Sequence, residues 1–286
     1  MKKIKILFIT IILLGLTGCF KNDSMEDINI VTSSYPIEFV VKELYGNHST
    51  ITSLYPKDDE IIDFEVTDVL LEQYSNSNLF IFNGLSNEKD YVNKMVDNNN
   101  DLMIIDITSN IPSDNINSIE ELWLDPNNLL TIANNIRKGF MEYINSSYLI
   151  DEINLNYEDL KIELTNLDGK YYSSLKNSDY DTIIVSDNSF KFLEKYGIEV
   201  ISLDPDTVKD KDISKAKELI NDGSCNYIFI KYKEDNNKIT NFINETGITK
   251  IELYTMTNLK DINIDQTNYI SLMNENLENL ELELYK

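Results

Sequence analysis

The chain has 286 residues, with 25 basic against 49 acidic side chains and a single histidine, for a net charge of −24. That balance excludes nucleic acid as a partner, because such binding rests on Lys and Arg at phosphates, and it argues against charge-driven adhesion to an anionic membrane. It favours small cations as solutes, weakly and without selectivity, although the same charge also serves simply to keep a surface solvated.

The chain starts with Lys2, Lys3 and Lys5, followed by an apolar run from Ile6 to Leu14 broken only by Thr10, and then Leu16-Thr17-Gly18-Cys19. A basic start, a short apolar core and small residues describe a secretory leader over 1–18, too short to span a membrane as a mature helix. Leu-Thr-Gly-Cys resembles the lipobox of bacterial lipoproteins. That resemblance implies that Cys19 becomes the first mature residue, carries the lipid and holds the protein on the extracytoplasmic face of the cell membrane. Loss of three lysines takes the basic count from 25 to 22 against 49 acidic residues, or −27. Residues 19–27 read as a lipidated Cys and polar tether. No later run approaches the ~20 apolar residues a spanning helix needs. With Cys19 lipidated, Cys225 has no disulfide partner; standing before Tyr227–Ile230, it reads as a small buried hydrophobe.

Eight short runs rich in β-branched and aromatic residues read as strands: 28–33, 49–55, 79–83, 102–108, 182–186, 199–203, 227–232 and 250–255. Helical patterns lie between them at 36–44, 67–74, 126–143, 189–196, 214–221 and 236–245. This alternation predicts βαβ units and parallel sheets. Four strands fall before residue 110 and four after 180, which predicts an α/β chain of two lobes, 28–146 and 178–286, with a cleft between them.

The middle of the chain, 147–177, reads differently. Leu149, Ile153, Tyr157, Leu160, Leu164, Leu167, Tyr171 and Leu175 recur at steps of three and four, the helical period. They predict one long linking helix, with two shorter helices turning near Asn154–Asn156 as the alternative. Asp125-Pro126 reads as a helix start. Ile270, Met273, Leu277, Leu280 and Leu284 predict a closing amphipathic helix.

Several segments now resemble, in order, the solute-binding lipoproteins of zinc- and manganese-type ABC importers: Val31-Thr32-Ser33-Ser34-Tyr35-Pro36, Leu79-Phe80-Ile81-Phe82-Asn83-Gly84-Leu85, Trp123-Leu124-Asp125-Pro126-Asn127-Asn128, Phe190–Ile198, and Glu245-Thr246-Gly247 followed by Tyr269–Leu277. The resemblance implies a monomeric receptor, not an enzyme, that hands a divalent metal ion (Mn or Zn) to an ABC permease and ATPase. It also implies a metal site in the cleft, usually built from three histidines and an acidic or further histidine ligand.

The chain departs from that pattern. Its one histidine, His48, is at no ligand position. The family's ligand histidines fall on Ile62, Glu121 and Asp187, and the last ligand region reads Leu253-Tyr254-Thr255-Met256-Thr257. The histidine-rich loop expected before Trp123 has no counterpart in 109–119. Glu121 and Asp187 would therefore form a harder, oxygen-based metal site, with Glu65 as a further donor. Ile62 and Tyr254 would replace ligands at cleft positions, and Glu60 and Asp63 are close enough in sequence to turn inward. Blander readings stand beside these. Asp187 can be only the N-cap of the next helix, and Glu121 only a solvated loop carboxylate. With no glycine-rich phosphate loop and no HExxH, two functions remain: a receptor with a degenerate carboxylate site, or an accessory surface protein on the same fold with no bare-cation cargo.

Overall fold

The computed structural model describes residues 25–112, 116–264 and 266–286. The leader, Cys19 and residues 20–24 of the tether lie outside them. The first lobe has four strands, β1 (Ile28–Thr32), β2 (Ser49–Ser53), β3 (Leu79–Phe82) and β4 (Met103–Asp106), and the second another four, β5 (Thr182–Val185), β6 (Glu199–Ser202), β7 (Tyr227–Lys231) and β8 (Thr249–Leu253). The sheets run β2-β1-β3-β4 and β6-β5-β7-β8, all parallel. The second lobe thus repeats the strand order of the first.

Both sheets are covered on both faces, which is why their central strands read as unbroken apolar runs. In β3, Leu79 and Ile81 turn to the inner core, while Phe80 and Phe82 join an outer cluster with Val31, Leu54, Leu71, Val92 and Met95. In β7, Phe229 turns inward, and Ile228 and Ile230 turn outward. The helices are α1 (Tyr35–Tyr45), α2 (Asp68–Ser75), α3 (Glu88–Asn98), α4 (Glu121–Leu124), α5 (Pro126–Tyr143), α6 (Ser147–Lys176), α7 (Asp210–Asn221), α8 (Asn237–Thr246) and α9 (Tyr269–Leu284). Helix α3 lacks a clear apolar period in the sequence, because it is largely polar and charged and buries only Glu88, Val92 and Met95. The segment expected as a helix over 189–196 is a 3₁₀ helix, Asn188–Tyr196, ended by Gly197 at φ 92°.

The linking helix α6 is continuous over 30 residues, and the residues it buries are Leu149, Ile153, Tyr157, Leu160, Leu164, Leu167, Tyr171 and Leu175. Ser146 caps it, its side chain accepting from Leu149 N. Its first half is fastened to the first lobe: Asn156 Nδ2 donates to Leu44 O at 3.0 Å, and Arg137 Nη1 donates to Asn154 Oδ1 at 2.8 Å. Its second half is fastened to the second lobe: Tyr171 OH donates to Met273 O at 2.8 Å, and Lys170 Nζ to Asn274 Oδ1 at 2.8 Å.

One core passes through both lobes. Phe39 of α1 stacks on Tyr269 of α9, with ring centroids 5.4 Å apart. Trp123 Nε1 donates to Thr255 O at 2.8 Å, and Tyr269 OH donates to Trp123 O at 2.5 Å. Nearer the cleft, Leu259 N donates to Lys57 O at 2.7 Å. Cys225 is buried and unpaired, and burial pushes its thiol up to about 11. No helix among the described residues is long and apolar enough to cross a membrane.

Candidate functional site

In an open parallel sheet, ligands gather beyond the carboxyl ends of the strands, where the strand order reverses. Here those points lie between β1 and β3 in one lobe and between β5 and β7 in the other. Each carries the same clasp. In the first lobe, Ser33 Oγ donates to Glu88 Oε1 at 2.8 Å, and Asn83 N donates to Glu88 Oε2 at 2.8 Å. In the second, Ser186 Oγ donates to Glu234 Oε2, which also accepts from Lys231 N at 3.1 Å. Each serine follows the first strand of its sheet, and each glutamate follows the third. The first clasp also explains the Asn83-Gly84 pair. Gly84 N donates to Asp106 Oδ1 at 3.1 Å, and a Cβ at Gly84 would stand 2.2 Å from that carboxylate.

Glu88 is 1% exposed, and burial, above all, raises its carboxyl from its ordinary 4.5 to about 7, with Asp106 adding to the rise. A carboxyl whose folded value lies above its unfolded one favours folding fully below the unfolded value. That contribution is lost as pH rises toward the folded value. Stability should fall by about 3 kcal/mol through this group between pH 4.5 and about 7, at 1.36 kcal/mol per unit. Urea denaturation at several pH values should show that decline in the native chain and a shallower one in Glu88→Gln. Parallel slopes would assign the decline to other groups.

The cleft between the lobes encloses about 620 Å³. The first lobe contributes Glu60 and Glu120, with Tyr55, Phe64 and Tyr91 as aromatic wall; the second contributes Asp187, Asp204, Asp206 and Glu234. Lys231, the last residue of β7, is the one basic residue among the described residues that line it. Its Nζ lies 3.5 Å from Asp187 Oδ2, both side chains being largely buried. Burial works to lower the Lys231 ammonium, yet Asp187, Glu60, Glu120 and Glu234 together hold it above its ordinary value. Burial raises Glu120, with the facing Asp187 adding to the rise, and burial also raises Glu234. Glu60 Oε2 accepts from Thr257 Oγ1 at 3.0 Å, which ties the rims of the two lobes. Among the described residues, no group of three or more His, Cys, Asp or Glu side chains is arranged to hold a metal ion.

The residues expected at the site are placed unevenly. Asp187 lines the cleft and also caps the 3₁₀ helix, its Oδ1 accepting from Ser189 N at 2.8 Å. Glu121 does not line it. It is buried on a separate pocket, where Asn117 N donates to its Oε2 at 2.8 Å and Asn117 Nδ2 to its Oε1 at 3.1 Å. Burial, above all, raises its carboxyl. The preceding residue, Glu120, faces the cleft instead, since neighbours on a helical turn point about 100° apart. Glu65 and Asp63 are exposed and line no part of the cleft; of the three acidic residues near Ile62, only Glu60 turns inward. The Ile62 side chain lies outside the described residues. Tyr254 stands away from the cleft. Its ring packs on Tyr232 at 4.9 Å, its OH donates to Glu275 Oε1 at 3.1 Å, and burial with Glu275 raises it to about 12. His48 is remote too, its Nε2 lying 3.0 Å from Glu152 Oε2 of α6.

The switch points of the two sheets thus face one another across a cleft, and a single helix braces the lobes that carry them. The chain belongs to the family described as ZnuA, zinc-uptake complex component A, periplasmic, which matches residues 30–282. That family comprises metal-binding solute receptors of ABC importers and not enzymes. The chain is 21% identical over 280 residues to the manganese-binding lipoprotein MntA of Halalkalibacterium halodurans, covering 89% of this chain and 90% of MntA. It is 20% identical over 309 residues to the zinc-binding lipoprotein AdcA of Streptococcus pneumoniae, covering 98% of this chain but 61% of AdcA. The fold matches the crystal structure of the metal-dependent lipoprotein YcdH from Bacillus subtilis with a TM-score of 0.75 at 19% identity, over 91% of this chain and 100% of that one.

Proposed function

We propose that this chain is the extracytoplasmic receptor of a divalent-cation ABC importer and holds its cargo with oxygen donors reaching across the cleft. The observation that carries this reading is the cleft itself, in which Glu60 and Glu120 of one lobe face Asp187 and Glu234 of the other. Asp187 and Glu120 are the donors this reading assigns; since among the described residues no three such side chains are arranged to hold a metal, they must draw together around the ion, with water completing the coordination. Carboxylate oxygen suits Mn²⁺ better than it suits Zn²⁺, and the relative matched over nearly its whole length is named as manganese-binding. Mn²⁺ is therefore the expected cargo. The chain is monomeric and is anchored through a lipid on Cys19. Leu16-Thr17-Gly18-Cys19 and the lipoprotein names of MntA and AdcA support the anchor. The partners are the permease and ATPase of the importer.

A ligand bound only by the folded state, present at a hundred times its dissociation constant, adds about 2.7 kcal/mol. Thermal unfolding of the purified protein with Mn²⁺, Zn²⁺ and Ca²⁺ should show that stabilisation with Mn²⁺ at the lowest concentration. Asp187→Asn should abolish it. A panel with no shift from any ion would end the metal reading. One observation favours a second reading, an accessory surface protein with no bare-cation cargo: the cleft already contains a positive charge, Lys231.

A further inference from the structure

Lys231 is placed by two independent constraints. Its backbone N donates to Glu234 Oε2 at 3.1 Å, fixing the end of β7 against the Ser186 clasp. Its Nζ lies 3.5 Å from Asp187 Oδ2, and its side chain is only 19% exposed. The backbone at its root is held, the flexible stem lets the ammonium move within the cleft, and the ammonium stands among carboxylates from both lobes. A divalent ion drawn to Asp187 and Glu120 meets that ammonium first. Like charges at this separation repel, and the repulsion is stronger in a partly buried cleft than in water.

We propose that Lys231 is the resident cation of the cleft, a tethered ammonium that competes with a divalent ion for Asp187 and so sets how tightly cargo is held. The inference rests on the cation-receptor reading, and its test separates the two. When an ion arrives, the Lys231 ammonium leaves Asp187 and the ion takes its place. No bond is made or broken beyond this exchange of ionic partners, and the net charge of the cleft rises by the charge of the ion. Such a gate favours release to a partner, because the displaced ammonium returns as soon as the ion departs.

The test is calorimetric titration of Mn²⁺ and Zn²⁺ into the native protein, Lys231→Met and Lys231→Arg. Met keeps the stem and removes the charge; Arg keeps the charge. Thermal unfolding without metal first establishes that each variant is folded, and Lys231→Gln takes the place of Lys231→Met if that variant is not. Removing the charge should tighten Mn²⁺ binding at least tenfold, or about 1.4 kcal/mol, while Lys231→Arg stays near the native value. Native binding with no gain in the neutral variant would overturn the gate and leave the receptor reading in place. Binding by the neutral variant alone would overturn the gate as an exchange, showing Lys231 to be a permanent occupant, and would remove divalent cargo from the native protein. Binding by neither would overturn both.

Discussion

Leu160→Pro is expected to cost about 5 kcal/mol, a large share of the ~5–15 kcal/mol that holds a typical domain folded. Proline inside a helix removes a backbone hydrogen bond and clashes with the preceding turn, at about 3 kcal/mol or more. The lost Leu160 contacts add to that, since this side chain is 2% exposed in the shared core. The position matters as much as the residue. The fastenings of α6 to the first lobe end near Tyr157, whose ring lies 4.5 Å beneath the Arg137 guanidinium. Those to the second lobe begin near Asp168, which accepts from Tyr196 OH at 2.7 Å. A break between them removes the brace itself. Urea unfolding followed by circular dichroism should show the lower midpoint and a broadened or divided transition. Unchanged stability would mean that two separately anchored helices do the work of one.

Trp123→Ala is expected to cost about 4 kcal/mol or more. Emptying a fully buried aromatic site typically costs ~3–5 kcal/mol. In addition, Thr255 O would lose the indole N–H that Trp123 donates at 2.8 Å, and a buried carbonyl left unpaired costs ~1–3 kcal/mol. Trp123→Phe separates these effects, for it keeps most of the ring volume and loses the N–H. It should cost about 1–3 kcal/mol. Trp123 is the only tryptophan in the chain, so both variants must be followed by circular dichroism rather than by fluorescence. A loss below about 1 kcal/mol for Trp123→Ala would show that the lobes close over this position without needing it.

The elements that carry one strong period were legible in the sequence. The buried face of α6 was readable residue by residue, because a long helix packed on two lobes must keep its apolar stripe in register throughout. The central strands were readable because sheets covered on both faces leave no polar alternation in them, while edge strands such as β2, Ser-Thr-Ile-Thr-Ser, were readable through their β-branched residues. Helix α3 was not, since it rests on the outer cluster through few residues and is otherwise charged. The site was half legible. Counting back from Trp123 leads to Glu121, but position in a motif does not say which way a short helical turn faces, and α4 turns Glu121 under toward Asn117 while Glu120 looks into the cleft. Lys231 left a signal that went unread. A lysine closing a run of buried apolar residues stands at the carboxyl end of a central strand, where a ligand belongs, in a chain with almost twice as many acids as bases.

The unbroken interior from Phe39 to Tyr269 bears on how quickly the cleft can exchange its contents. Parting the halves would wet Trp123 and Tyr269, both at most 1% exposed, so wide hinging carries a large cost in buried aromatic surface. Entry and exit are left to rotamers and rim segments, such as the Lys57–Glu60 turn and the Thr255–Leu259 strip it bonds to. Motions of that kind run from nanoseconds to microseconds, faster than the microsecond-to-millisecond swings of hinged domains. Exchange through such rim segments is therefore expected to outpace any exchange that waits for the two lobes to swing apart.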